Sequence, residues 1–135
     1  MHEVSVQFLG SGDAFGSGGR MQTCLYVDDG DTYCLLDCGI SSLIAMRRWG
    51  VELVLIDVIL ATHLHGDHFG GVPFFIVEAQ LISKRTKALV IASPPGLATR
   101  IRDAIEVMVP GSFTRATALR CASAGTTRAG AHIDW

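Results

Sequence analysis

The sequence has no run of about 18 apolar residues, so no membrane-spanning helix is expected and no membrane partner is indicated. Its start, Met1-His2-Glu3-Val4, has no basic segment leading into an apolar one, which argues against a secretory leader. Charge is sparse. Eleven Lys and Arg stand against thirteen Asp and Glu, 18% of 135 residues, for a net charge of -2. That balance lacks the strongly basic footprint of an electrostatic nucleic-acid binder, although a local basic patch stays open. Aromatics are few, and Arg100, Arg102, Arg115, Arg120 and Arg128 are scattered with little aromatic surface among them, so a stacking groove for single strands has little support. The four cysteines, Cys24, Cys34, Cys38 and Cys121, form neither a C-x-x-C pair nor a zinc ribbon. Reduced thiols in a cytoplasmic protein are the expectation. The glycine-rich stretch from Gly10 to Arg20 lacks the Gly-Lys-Ser/Thr ending of a P-loop and leads into a strand rather than a helix, so a flexible loop near a pocket mouth is expected instead.

What the chain does have is apolar material, 49% of its residues, enough for the core of one domain. Val4, Val6 and Phe8 alternate with Ser5 and Gln7, the period of a half-buried strand. Thr23–Val27 and Tyr33–Leu36 read as two strands joined at Asp28-Asp29-Gly30-Asp31, a hairpin turn. Ser41 or Ser42 can cap a helix running to Trp49, with Arg47 and Arg48 in its last turn and Gly50 at its stop. Asp57–Ala61 reads as a buried strand. Residues 72–84 read as a helix with Pro73 in its first turn and Phe74, Val77 and Leu81 on one face. Ala88–Ala92 reads as a further strand. Leu97, Ile101, Ile105, Met108 and Val109 mark an amphipathic helix closed by Pro110-Gly111. From Ser112 the large apolar residues thin out, and no period of 2 or 3.6 emerges. Residues 1–111 are therefore read as the folded unit and 112–135 as an irregular tail.

One stretch concentrates chemistry: Thr62-His63-Leu64-His65-Gly66-Asp67-His68, with three of the five histidines and an aspartate after an apolar strand. On an extended chain His63 and His65 point to the same side. Two neighbouring imidazoles make half of a tetrahedral zinc site. Gly66, if it adopts positive φ, turns the chain so that Asp67 and His68 face the same space, where a carboxylate and an imidazole suit a second divalent ion. The bland alternative is a chance histidine-rich loop.

His63-Leu64-His65-Gly66-Asp67-His68 resembles the H-x-H-x-D-H signature of the metallo-β-lactamase-fold hydrolases. Phe8-Leu9-Gly10-Ser11-Gly12, Leu35-Leu36-Asp37-Cys38-Gly39 and Ser93-Pro94-Pro95-Gly96-Leu97 are similar to segments of their ribonuclease Z-like branch, so that the resemblance covers residues 3 to about 112. It implies an α/β fold, the αββα sandwich, with about its first half in residues 1–111. It implies that His63 and His65 hold one zinc and Asp67 and His68 a second, with manganese or iron as alternatives. It implies that Asp67 also serves as general base, and that Asp37 orients a ligating histidine from behind. A plain turn residue is the alternative for Asp37. The implied activity is a metal-dependent hydrolase of the phosphodiesterase or ribonuclease Z-like type, acting through a zinc-activated hydroxide on a small-molecule or RNA phosphodiester.

The sequence departs from that pattern in its later ligands. The only later histidine, His132, sits in the irregular tail and is not assigned as a ligand. Each ion then has two protein donors, where a catalytic zinc normally has about three and a water. The alternative function is therefore a truncated, inactive half-domain that binds metal weakly or not at all, its tail after Ser112 read as a shifted frame or premature end. A sheet face left without its partner is expected to favour homo-oligomers.

Overall fold

The computed structural model describes residues 3–113 and the backbone of residues 119–123. Six strands form one sheet in sequence order: β1 (Ser5–Gly10), β2 (Cys24–Asp28), β3 (Tyr33–Leu36), β4 (Val58–Leu60), β5 (Leu89–Ser93) and β6 (Leu119–Ser123). The first three run antiparallel. The hairpin between β2 and β3 turns where expected: Gly30 takes φ 88°, and the Asp28 and Asp29 carboxylates accept the N–H groups of Gly30, Asp31 and Thr32. From β3 onward pairing is parallel, and each crossover carries helix: α1 (Ser42–Arg48), then α2 (Gly66–Phe69) with α3 (Val72–Leu81), then α4 (Leu97–Met108). Parallel neighbours need such crossovers because their ends lie at opposite edges of the sheet.

The core lies between these helices and one face of the sheet. Leu35, Ile59, Leu89 and Ile91 from the strands are fully buried with Met46, Phe75, Ile76, Ile101 and Ile105 from the helices. The opposite face is also apolar. Register aligns Val6 with Val27, Cys34, Val58 and Val90, and Phe8 with Leu25, Leu36, Leu60 and Ala92. Yet Val6 is 53% exposed and Phe8 64%. The alternation in β1 thus marks a strand, but its apolar side faces away from the helices and is not half-buried.

Three further readings change. Helix α3 ends at Leu81, short of Lys84, which takes φ 47°. Its buried residues are Val72, Pro73, Phe75, Ile76 and Ala79, while Phe74 and Leu81 are exposed. The helix is apolar nearly all round, so spacing alone could not choose the face. Strand β6 lies within the segment read as irregular, paired with β5 from Leu89↔Leu119 to Ser93↔Ser123. An open parallel edge recruits backbone whatever the side-chain period, which is tertiary context overriding pattern. The remainder of that segment, residues 114–118 and 124–135 with His132, lies outside the described residues.

Candidate metal centre

The chemistry collects at the carboxyl ends of the parallel strands, where ligand crevices form in open α/β sheets. Strand β3 ends in Asp37-Cys38-Gly39, and β4 ends just before Thr62. The two turns are sewn together by backbone: Asp37 N–H donates to the Leu60 carbonyl at 2.8 Å, Cys38 N–H to His68 at 2.7 Å, and Gly71 N–H to Cys38 at 2.9 Å. Close approach requires glycine at Gly39, where a Cβ would run into the Asp67 carbonyl and the Gln22 side chain, and at Gly71, where it would meet the Gly39 carbonyl.

Asp37 is the buried anchor. Its side chain is only 4% exposed and its backbone adopts φ 60°, a left-handed conformation that aspartate tolerates better than most residues but that still costs about 1 kcal/mol or more. Its carboxylate accepts from Thr62 N at 2.7 Å, from the Thr62 hydroxyl at 3.0 and 2.9 Å, and from His68 Nδ1 at 2.7 Å. Asp37, expected to orient a histidine from behind, has its carboxylate against His68 Nδ1.

The histidine stretch is not extended. Residues 62–64 form a bend and Gly66 opens the short helix α2. Gly66 is not among the glycines with positive φ, and a Cβ there would meet nothing, so the turn does not depend on glycine's freedom as expected. The helical turn itself carries Asp67 and His68 round. The imidazoles converge nonetheless: the His63 ring centre lies 4.7 Å from that of His65 and 4.0 Å from that of His68. His68 Nε2 is 3.2 Å from Asp67 Oδ2, so this ring sits between two carboxylates. Thr62 Oγ1 also lies 3.0 Å from His63 Nδ1.

Around this centre, Gln22 ties the glycine-rich loop to the Asp37 turn: its Oε1 accepts from Ile40 N at 2.7 Å, and its Nε2 donates to the Ala14 carbonyl at 3.4 Å. Asp13 organises the loop by accepting from Phe15 N and Ser17 N, both at 3.0 Å, and the bonds from Ser17 hold its carboxyl below the usual aspartate value. From the far side, Arg100 Nη1 donates to the Leu64 carbonyl at 3.5 Å. Cys24 and Cys38 are buried behind the site. Burial pushes the Cys24 thiol up to about 11 and raises Cys38 well above the ordinary thiol range, so neither is poised as a nucleophile. The sequence assigns no site role to Thr62, Gln22 or Arg100. Thr62 alone had a signal, its place beside His63.

A family model for the Anti-Pycsar protein Apyc1 matches residues 4–102. The chain belongs to the Apyc1 family. It is also 32% identical to a ribonuclease Z of Agathobacter rectalis over 107 residues, covering 79% of this chain and 35% of that one. Among solved structures, human tRNase Z, short form, superposes with a TM-score of 0.66 at 31% identity, covering 78% of this chain and 40% of that one. The metallo-β-lactamase fold protein YhfI from Bacillus subtilis superposes with a TM-score of 0.69 at 17% identity, covering 90% and 45%. The fold of this Apyc1-family chain is therefore the metallo-β-lactamase fold, in its ribonuclease Z-like branch. The chain spans about a third of the length of the curated relatives it matches.

The donor set fits a borderline divalent ion in kind: three imidazoles and one carboxylate. His63 Nδ1 lies against the Thr62 hydroxyl, as one nitrogen of a ligating imidazole generally does, whereas His68 has both ring nitrogens against carboxylates. It does not close a sphere. Among the described residues no group of three such donors gathers about one point, because the rings pack on one another and His68 pairs with Asp67.

Proposed function

We propose that this Apyc1-family chain carries the first metal-binding part of a metal-dependent hydrolase, a phosphodiesterase of the ribonuclease Z-like type. The observation that carries the reading is the joining of His68 to buried Asp37 at the mouth of β3 and β4, with the His63 and His65 rings beside it. The relatives named ribonuclease Z and tRNase Z support a hydrolase and point to an RNA phosphodiester, with a small-molecule phosphodiester as the alternative.

In this reading His63 and His65 hold one zinc, and Asp67 and His68 a second, with manganese or iron as alternatives. When bound, such ions lower the pKa of a water and neutralise charge growing on phosphoryl oxygens. Asp67 accepts the proton of the attacking water. Asp37 keeps His68 facing the site. Arg100, bonded to the Leu64 carbonyl, supports the bend that carries His63 and His65. The remaining ligands come from residues beyond these four, because two ions require about three protein donors each.

No helix among the described residues is long and apolar enough to cross a membrane. We place the protein in the cytoplasm and expect its open sheet face to drive self-association. One observation favours a second reading, an inactive half-domain that binds metal weakly or not at all: the four donors do not close around an ion. Hydrolysis of bis(p-nitrophenyl) phosphate by the full chain separates the two. Zinc-dependent turnover abolished by Asp67→Ala supports the hydrolase, and turnover indifferent to that change or absent altogether supports the inactive form.

A further inference from the structure

Thr62 occupies an unusual junction. Its hydroxyl oxygen lies 3.0 and 2.9 Å from the two oxygens of Asp37 and 3.0 Å from His63 Nδ1. Its own N–H is 2.7 Å from Asp37 Oδ1. The proton inventory decides how these bonds run. A carboxylate only accepts, so the single hydroxyl proton of Thr62 goes to Asp37. Towards His63 the hydroxyl then has only lone pairs to offer. His63 Nδ1 must supply the hydrogen, which leaves Nε2 bare. At His68 the Nδ1 likewise donates to Asp37 Oδ2 at 2.7 Å, while Nε2 lies 3.2 Å from Asp67 Oδ2.

We propose that Thr62 is a positioning residue that fixes His63 in the Nδ1–H form, so that one buried carboxylate, Asp37, sets the presentation of two histidines on the same turn. Asp37 reaches His68 directly and His63 through the Thr62 hydroxyl. The device rests on the metal-binding reading for its purpose but not for its geometry. An isolated neutral imidazole exchanges freely between its two tautomers, and only one of them offers the nitrogen that the site needs. Thr62 removes that choice before any ion arrives. The residue also explains why the bend at 62–64 is tied at its first position: Thr62 N–H and hydroxyl both land on Asp37, so the His63 ring is held where the backbone is held.

The test uses the full chain, labelled with nitrogen-15 at histidine, metal-free, at about pH 8, where ordinary imidazoles are neutral. Long-range proton–nitrogen correlation spectra report which ring nitrogen of His63 carries the hydrogen. The wild type and Thr62→Ser are expected to show Nδ1–H at His63, and Thr62→Val is expected to lose that form. Zinc affinity, measured by competition with a chromophoric chelator, is expected to fall about 10- to 100-fold in Thr62→Val, the usual scale for loss of a ligand's supporting bond, and to recover in Thr62→Ser. A wild-type His63 protonated on Nε2 overturns the proposal, as does a folded Thr62→Val with tautomer and affinity unchanged. Should Thr62→Val fail to fold, the wild-type and Thr62→Ser spectra decide. A wild type that shows Nδ1–H yet takes up no zinc upholds the role of Thr62 and overturns the metal reading.

Discussion

Asp37 and His68, 31 positions apart, meet at 2.7 Å between Oδ2 and Nδ1, and the aspartate adopts φ 60° where it does so. The bond joins the end of β3 to the helical turn after β4, so the sheet itself aims the imidazole. Asp37→Ala is expected to cut zinc affinity about 10- to 100-fold. It also strips Thr62 of its acceptor and leaves an alanine at positive φ, so the folded state should lose about 2–4 kcal/mol. Asp37→Asn should fall between, because one amide oxygen cannot serve His68 and both Thr62 donors. Chelator competition and urea unfolding of the three proteins check this.

Asp57 gives a pH signature away from the site. Burial pushes its carboxyl up, but the Lys87 ammonium, the Tyr33 N–H and the charge of Arg85 outweigh that and hold it below the ordinary value. A folded-state pKa below the unfolded one means that the unfolded chain binds more protons in between, so stability rises with pH there. The contribution is full above the unfolded value near 4 and is lost as pH falls through the lowered one. Asp57→Asn should cost about 1 kcal/mol at neutral pH, and the gap to wild type should close as pH falls through that lowered value. Urea midpoints across pH 2–7 provide the measurement.

Arg85 fastens two chain segments, residues 53–56 and 87–88. Its guanidinium donates to the carbonyls of Val54 at 2.7 Å, Ile56 at 2.6 Å, Lys87 at 2.7 Å, Ala88 at 2.9 Å and Leu53 at 3.3 Å. The carbonyls lie just before the starts of β4 and β5, and that of Leu53 also accepts from Ile56 N at 3.2 Å. Lysine has the charge but not the planar fork. Arg85→Lys should destabilise the fold by about 2–3 kcal/mol, with site geometry kept, as several charge-assisted bonds are lost. Denaturant unfolding measures it.

Val6 and Phe8 stand exposed at the head of two apolar rows that cross five strands. Such a face invites association. Phe8→Asp should shift the sedimentation profile of the purified chain towards monomer at equal concentration, with little loss of helix signal.

Much of this architecture was readable from residue pattern, and the failures have physical causes. The β2–β3 hairpin declares itself through Asp28, Asp29 and Gly30, whose side chains and φ are local matters. Helix α4 declares itself because Leu97, Ile101 and Ile105 are apolar against a charged remainder. Helix α3 hides its buried face because Phe74 and Phe75 look alike to any periodicity. The alternation of β1 was real, but a sheet with two apolar faces gives no sign of which one the helices cover. Histidines 63, 65 and 68 are legible as a candidate cluster because they fall within six residues. The link to Asp37 entered only through resemblance, since it is made across 31 residues by tertiary structure. The turn expected of Gly66 is made by a helical start, while Gly39 and Gly71, where backbones nearly touch, carry no local signal.

The most direct test of the account is the amount of zinc retained per chain after equilibrium dialysis, for the wild type beside His63→Ala, His65→Ala, Asp67→Ala and His68→Ala. Stoichiometric zinc is expected on the wild type, with loss of at least one ion's worth in each variant while the fold, read by circular dichroism, persists. A folded wild type that retains no zinc, or variants that retain as much as the wild type, would contradict it.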